Sequence, residues 1–357
     1  MAAMAAVILV LSVACGHPLG NIHVHPEATA KNGRIAFVRA TGGRDPALWT
    51  MLPDGSDMRQ LTPSSGDMEV HPSWSPSGDR VAYSGRHDGV WKIWEVQADG
   101  TGLRRLTDGP PGAAIMVPAF SPDGRFIVFE GTEADGSTTV WRADAADGGN
   151  ATRLTPADQS PSITDMGAKP SPDGQLLAFA SDRGNAPGQY DVWLMEGWQQ
   201  APDGPGVRLH RLTAGANNTL SRSWAPDSRR LVLNSMRGGV GRICVADVPA
   251  AEAALDALAA PIDAARLLCL TNTTSTPNGP WSPGGMFPTV DGDATPAWSP
   301  DGSRIAFSSN RAGSFEIFSM AADGSDVRRL TFTPREDAAA GDQHVTLVLA
   351  AAAAGIA

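Results

Sequence analysis

Short apolar segments alternate with polar turns along this chain, and inside each segment the alternation has the two-residue period of a β-strand. The stretch near the C-terminus shows the unit most clearly. Thr295 to Ser299 reads as a first strand, and Ser299-Pro300-Asp301-Gly302 as a turn. Proline presets φ at the second turn position and glycine accepts positive φ at the fourth. Arg304 to Ser309 follows as a second strand with Ile305 and Phe307 on one face. After Asn310-Arg311-Ala312-Gly313 comes a third strand, Glu316 to Met320. The turn Ala322-Asp323-Gly324-Ser325 then folds a fourth, Val327 to Thr331, back onto it. Helical periodicity is hinted at only in Ala250 to Ala260, which Pro249 and Pro261 bracket.

This four-stranded unit recurs. Its opening reads HPSWSPSGDRVAYSGR from His71, VPAFSPDGRFIVFEGT from Val117 and AKPSPDGQLLAFASDR from Ala168; two more copies start at Ser221 and Thr295. Its ending, Leu-Thr, occurs six times, at Thr62, Thr107, Thr155, Thr213, Thr271 and Thr331. One such sheet has two apolar faces and cannot cover both; stacking copies around an axis covers them and leaves only short edges. The sequence therefore predicts an all-β, six-bladed propeller of four-stranded antiparallel blades. Only five opening turns exist, so one blade lacks its innermost strand. The tail Asp342-Gln343-His344-Val345-Thr346-Leu347 aligns with Glu69 to Trp74, and Gly33-Arg34-Ile35 resumes where Asp79-Arg80-Val81 would. Pairing of the C-terminal strand with the first blade is expected to close the ring.

The repeats from Gly33 to Thr331 resemble the β-propeller repeats of TolB, the periplasmic component of the Tol-Pal envelope system; related repeats occur in the propellers of prolyl-oligopeptidase relatives. The resemblance implies a protein-binding role, because the TolB propeller binds the lipoprotein Pal in its channel region. TolB carries an α/β domain before its propeller, whereas about thirty residues precede the first blade here, so a role depending on that domain does not carry over.

Composition narrows the choice of partner. Over 357 residues the formal net charge is -10, and no run of Lys or Arg exceeds a pair. This argues against nucleic acid and against anionic membrane surfaces, and leaves a protein or cell-envelope component, or a cation. The ten Trp read as core rather than as a platform for sugars. The expected organisation is a leader over 1–15, a flexible linker over 16–32, the propeller over 33–349 and a disordered tail over 350–357, in a monomer.

Met1 to Ala14 is apolar but too short for a transmembrane helix, and it fits the core of a secretory signal. Val13-Ala14-Cys15-Gly16 resembles a lipobox, with Ser12 where Leu, Val or Ile is usual, and no Lys or Arg precedes the apolar run. Export offers two readings, lipidation of Cys15, which would anchor the protein to a membrane, or plain cleavage after Ser12-Val13-Ala14, and both place the protein in the periplasm or at the cell surface. The competing reading is a disordered cytosolic leader. Matching the fifth blade to the sixth sets Cys244 and Cys269 opposite each other on adjacent strands; they form a disulfide or remain two half-buried thiols.

Chemistry is sought at the channel mouth. Five residues before the Trp position of each copy stand Glu69, Ile115, Asp165, Thr219, Asp293 and Asp342. Four of the six are carboxylates, hard oxygen ligands that suit calcium or the Lys and Arg of a partner; the competing reading is that each caps a loop. His71 and His344 lie two residues further in and are partner-binding candidates. Arg86, Arg183, Arg237 and Arg311 recur after the second strand and read as ties between neighbouring blades. The Asp-Gly pairs at Asp54, Asp99, Asp147 and Asp323 read as turns. His23 and His25 form a His-x-His without a third ligand nearby.

No Gly-x-Ser-x-Gly, no His-Glu-x-x-His and no phosphate-binding glycine loop is present. Glu196 to Val207, Pro249 to Ala265 and Thr271 to Gly292 are long connections, and the last contains Trp281 and Phe287, candidate exposed contacts. The expected function is non-enzymatic binding of a protein or envelope partner at the channel mouth. The alternative is a propeller hydrolase or lyase acting on a saccharide or peptide through a metal held by Glu69, Asp165, Asp293 and Asp342.

Overall fold

The computed structural model describes residues 33–39, 46–63, 68–87, 89–133, 136–156, 163–200, 207–215, 219–237, 240–249, 260–272, 292–313, 315–332 and 345–347. Blade one contains β1 (Ile35–Arg39), β2 (Ala47–Met51) and β3 (Arg59–Gln60). Blade two contains β4 (Met68–Trp74), β5 (Arg80–His87), β6 (Val90–Gln97) and β7 (Arg104–Thr107). Blade three contains β8 (Ala114–Phe120), β9 (Phe126–Thr132), β10 (Thr138–Asp144) and β11 (Thr152–Arg153). Blade four contains β12 (Asp165–Pro170), β13 (Leu176–Ser181), β14 (Asp191–Glu196) and β15 (Arg208–Arg211), followed by the short β16 (Thr213–Ala214). Blade five contains β17 (Leu220–Trp224), β18 (Arg230–Arg237) and β19 (Val240–Asp247); β20 (Ile262–Asp263) precedes its last strand, β21 (Leu268–Cys269). Blade six contains β22 (Asp293–Trp298), β23 (Arg304–Ser309), β24 (Glu316–Ala321) and β25 (Arg328–Arg329). The tail strand β26 (Val345–Leu347) pairs antiparallel with β1 and completes blade one.

First strands of successive blades touch all the way round: β4 on β8, β8 on β12, β12 on β17, β17 on β22, β22 on β26 and β26 on β4. The ring is therefore closed, with the tail as its sixth inner strand. The register of that strand differs from the sequence alignment by two residues, because Leu347 faces Phe37 rather than Ile35. Elsewhere a hydrogen-bonded turn joins the two inner strands and pins their register. No such turn joins β26 to β1.

The two faces of each blade are both apolar and each packs on a different neighbour. In blade six, Ile305, Phe307, Phe318 and Met320 lie against Ala225, Val232 and Ile243 of blade five. Ala306, Ile317 and Leu330, on the other face, lie against Ile35, Phe37 and Met51 of blade one. The same arrangement fills each of the other four seams, so the core is six layers between blades rather than one centre.

The two sequence signatures perform distinct tasks. In the opening turn of blade six, Ser299 N–H donates to Arg304 O (2.8 Å), Gly302 N–H to Ser299 O (2.9 Å) and Arg304 N–H to Ser299 Oγ (2.9 Å). Ser299 Oγ in turn donates to Asp301 (2.6 Å). Blades three and four repeat these bonds at Ser121 and Ser171.

The closing Leu-Thr is a clasp that extends the short outer strand. Leu330 N–H donates to Ile317 O (2.8 Å), while Thr331 Oγ1 accepts from the N–H of that same residue (2.9 Å). Leu61-Thr62 does the same on Leu48, Leu154-Thr155 on Val140, Leu212-Thr213 on Val192 and Leu270-Thr271 on Ile243. The threonine hydroxyl thus stands in for a backbone carbonyl where the outer strand ends. Thr331→Val keeps the shape but leaves the buried Ile317 N–H without an acceptor. A loss of about 1–3 kcal/mol in urea-unfolding stability is expected.

The Asp-Gly hairpins bear on acid stability. Asp323 accepts from Ser325 Oγ (2.6 Å) and Ser325 N–H (2.9 Å), which holds its carboxyl below its ordinary 3.8. Asp54 and Asp99 are lowered for the same reason, by Ser56 and Thr101. A group whose pKa is lower folded than unfolded binds protons more weakly when folded. Its contribution is complete above the unfolded value and is lost as pH falls through the folded one. Acid titration of the thermal midpoint should therefore steepen below about pH 4, and Asp323→Asn should flatten the slope. An unchanged slope in that variant would show that the turn carboxylates do not set it.

Candidate functional site

In an antiparallel blade the first strand's start, the second strand's end, the third strand's start and the fourth strand's end meet at one face of the ring. Of the candidate residues of the channel mouth, Glu69, His71, Asp165 and Asp293 lie there. Each inner strand that precedes an opening turn carries a β-bulge at the same depth, with register shifts at Val70/Ser73, Met116/Ala119, Met166/Lys169, Ser221/Ser223 and Ala294/Ala297. The bulged residues His71 (φ 55°), Val117 (φ 55°) and Thr295 (φ 48°) are left-handed, as is Gly167. For a β-branched residue such as Val117 this conformation is strained, and it persists because the surroundings hold it. Val117 N–H donates to Ser84 Oγ (2.9 Å) of blade two, and Gly167 N–H to Glu130 Oε2 (3.0 Å) of blade three. Ser84 and Glu130 occupy equivalent positions on their second strands. A second-strand side chain of one blade thus receives the bulge amide of the next.

Three of the four carboxylates lie in the described residues, each almost fully buried, and each has its own protein partner. Glu69 accepts from Leu48 N–H (3.4 Å) and is hydrogen-bonded to Thr62, so it joins blade two to the clasp of blade one. Asp165 accepts two bonds from Arg183 Nη2, at 2.7 and 2.6 Å. Asp293 pairs with Arg311 at 2.6 Å. Thr219 and Ile115, at the equivalent positions, are buried. Among the described residues, no three His, Cys, Asp or Glu side chains gather round a point where an ion could sit. Asp342, His344, Trp281, Phe287, Cys15, His23 and His25 lie outside the described residues.

Arg183 and Arg311 tie strands within a blade rather than blade to blade, and the side chain of Arg237 lies outside the described residues. Arg183 and Asp165 both belong to blade four, and Arg311 and Asp293 to blade six. Arg183 also stacks on Phe179 and Trp193, and Arg311 on Phe307 and Phe318, all within the same blade. The inner strand's bulge leaves its first residue level with the end of the second strand, and an arginine two residues beyond that strand reaches straight back. Arg86 donates to Gly89 O (3.2 Å), also within its own blade.

A second row of pairs lies further out on this face. Asp191 of β14 meets Arg211, and Glu316 of β24 meets Arg329 (2.8 Å). Arg211 and Arg329 also donate to the carbonyls of Thr213 (3.1 Å) and Thr331 (2.8 Å). Sequence reasoning passed over this row. Its signal was the arginine in Arg-Leu-Thr together with an acid opening the third strand. Tyr190, beside Asp182 in blade four, has its hydroxyl pushed up to about 12 by burial and by that carboxylate. His71 is half-buried at the inner rim, its Nδ1 3.5 Å from Ser84 Oγ.

Cys244 and Cys269 face each other across β19 and β21 and are joined by a disulfide. The missing sixth turn leaves a trace on the opposite face. In blades four and six the turn glycines Gly174 and Gly302 lie close to the prolines Pro122 and Pro226 of the preceding turns. Blade one has no such turn to lay on Pro300, and an apolar crevice opens there among Ile35, Pro53, Trp298 and Pro300. No helix among the described residues is long and apolar enough to cross a membrane.

These features define a six-bladed β-propeller whose inner strands are bulged and whose mouth is fixed by arginine–carboxylate pairs. The chain carries TolB-type repeats: residues 32–201 match the TolB beta propeller domain, and the same turn and clasp recur beyond that span at Ser299–Gly302 and Leu330–Thr331. An uncharacterised protein of Agrobacterium fabrum is 32% identical over 160 residues, covering 43% of this chain and 50% of that protein. The Tol-Pal system protein TolB of Anaeromyxobacter dehalogenans is 33% identical over 195 residues, covering 54% of this chain and 41% of that one. The chain thus spans half or less of the length of these relatives. Among solved structures, TolB from Acinetobacter baumannii superposes with a TM-score of 0.58 at 21% identity, covering 83% of this chain and 65% of that one. The structure of a putative TolB from Agrobacterium tumefaciens gives 0.58 at 17% identity, with 84% and 90% covered. At these identities the structural likeness speaks for the fold.

Proposed function

We propose that the protein is an exported, envelope-associated module that binds a protein partner at the mouth of its channel. The observation that carries this reading is the construction of that mouth. Asp165 and Asp293 are neutralised by arginines of their own blades, so the face is a rigid, charge-compensated surface rather than a set of groups held ready for proton transfer or metal binding. Strained bulges at His71, Val117 and Thr295 sit round its rim, where bulges re-aim side chains. The relative named as a Tol-Pal system protein supports a place in the cell envelope. The hydrolase or lyase alternative would require Asp165 and Asp293 to leave their arginines and Glu69 to leave Leu48 and Thr62, and the geometry does not favour it.

The test places a photo-crosslinking amino acid at His71 on the mouth, and separately at Leu103 on the outer rim, in cells expressing the full chain. One discrete adduct with an envelope protein from position 71, absent from position 103, is expected. Equal labelling from both positions, or none from either, would sink the proposal. Mass analysis of the mature N-terminus distinguishes acylated Cys15 from plain cleavage, since only the former adds lipid mass.

A further inference from the structure

Blade five departs from the others at its outer strand. In blades one, two, three and six a tight hairpin returns the chain from the third strand to the fourth, as where Ala321 N–H donates to Ser325 O (2.8 Å). In blade five the chain leaves β19 at Asp247 and returns only at Leu268. On the way Ile262 N–H donates to Leu212 O (2.8 Å), and β20 pairs in parallel with β16 of blade four. A longer closed loop costs more entropy, and β21 repays it with only two paired residues.

The residue two before the clasp threonine is the second departure. In four blades it is a side chain that donates to the threonine carbonyl: Gln60 to Thr62 (2.8 Å), Arg153 to Thr155 (3.0 Å), Arg211 to Thr213 (3.1 Å) and Arg329 to Thr331 (2.8 Å). In blade five that position is Cys269, bonded to Cys244 directly across the strands. Blade five has exchanged both the hairpin and the side-chain anchor for one covalent bond. Cys244 is fully buried, whereas Cys269 is partly exposed at the blade edge.

We propose that this disulfide is a redox latch: its reduction releases residues 262–271 as a unit from blades four and five, opening the outer edge of that seam while the rest of the ring stays folded. The reductant is a dithiol of the thiol–disulfide oxidoreductase class. Its thiolate attacks Sγ of Cys269, the less buried of the two cysteines, breaking the Cys244–Cys269 bond and forming a mixed disulfide; Cys244 departs as a thiolate and takes up a proton. The second thiol of the dithiol then attacks the mixed disulfide, freeing Cys269 as a thiol and leaving the reductant oxidised. Released, the segment withdraws Ala264 and Leu267 from the apolar layer they share with Leu212, Ala246 and Val248, so the open state presents apolar surface along a strand edge.

Hydrogen exchange on the full chain tests this, in a Cys15→Ser background so that only two cysteines respond, with and without a non-thiol reductant. Three amides report on the latch: Ile243, held by Thr271 Oγ1, Ile262, held by Leu212 O, and Leu270, held by Ile243 O. Ile317 and Leu330 are the matched amides of blade six. Reduction is expected to speed exchange at the first three by about ten-fold or more and to leave the second pair unchanged. A Cys244→Ala, Cys269→Ala double variant should exchange like the reduced protein. Unchanged exchange on reduction would overturn the proposal, as would faster exchange in blade six as well, which would make the bond a support of the whole ring. Free thiols in the protein purified from an oxidising compartment would overturn it too.

Discussion

Gly148→Ala is expected to cost about 2–5 kcal/mol and to be among the most damaging single-methyl additions in the chain. Gly148 sits in the Asp-Gly hairpin of blade three at φ 72°, where an alanine is strained whatever the space around it. Its added Cβ would also stand 2.1 Å from Leu106 O, a backbone atom of β7 in blade two that has nowhere to retreat. The hairpin and clasp are repeated, and so is the contact: Gly55 meets Leu330, Gly100 meets Leu61 and Gly324 meets Leu270, each in the preceding blade. Gly124 supplies the control. It has φ 70°, and nothing lies within 4 Å of its added Cβ, so Gly124→Ala carries the conformational cost alone, about 1–2 kcal/mol. Urea unfolding of the two variants separates conformation from contact. Equal losses would mean that the hairpins do not bear on the neighbouring clasps.

Asp165→Ala is the second large effect, with an expected loss of about 3–5 kcal/mol. The carboxylate is 1% exposed and both its oxygens accept from Arg183, itself only 8% exposed. Removing it leaves a guanidinium buried without its counter-ion, over the rings of Phe179 and Trp193. Truncating both partners should cost less than Asp165→Ala alone, because no orphaned charge remains. The same pair of variants bears on the channel chemistry. If Asp165 belonged to a calcium site, calcium would raise the thermal midpoint of the native protein and not that of Asp165→Ala. With Arg183 already in place as the counter-ion, the expected result is no calcium-dependent shift in either.

The fold was legible because the chain spells out its blade five times, and because turn and clasp residues have local work that any copy displays. The strand limits moved only at their ends. The first strand of blade six begins at Asp293 rather than Thr295, and its fourth is shortened to Arg328–Arg329 because Leu330-Thr331 bonds as a clasp instead of a ladder. The site was legible by position and not by partner. Spacing placed Glu69, Asp165 and Asp293 at one level of the ring, but a carboxylate's environment depends on what folding brings beside it. Here that was an arginine eighteen residues on in two cases, and the neighbouring clasp in the third. The bulges were invisible for a related reason. His71, Val117, Gly167 and Thr295 share a backbone conformation and no side-chain chemistry, so nothing in their letters marks them as equivalent.

Six blades in a row would share five interfaces; bent into a circle they share six. The additional one, between blades six and one, sets Ile35, Phe37 and Met51 against Ala306, Ile317 and Leu330, partners that lie nearly the whole chain apart. Every other interface joins consecutive stretches and can form as soon as both blades exist, whereas this one waits for the last blade. The circle is therefore expected to behave as a spring clip. The sixth interface is the slowest to form and the first to part, and once it has snapped shut no blade is left with a bare face from which unravelling can start.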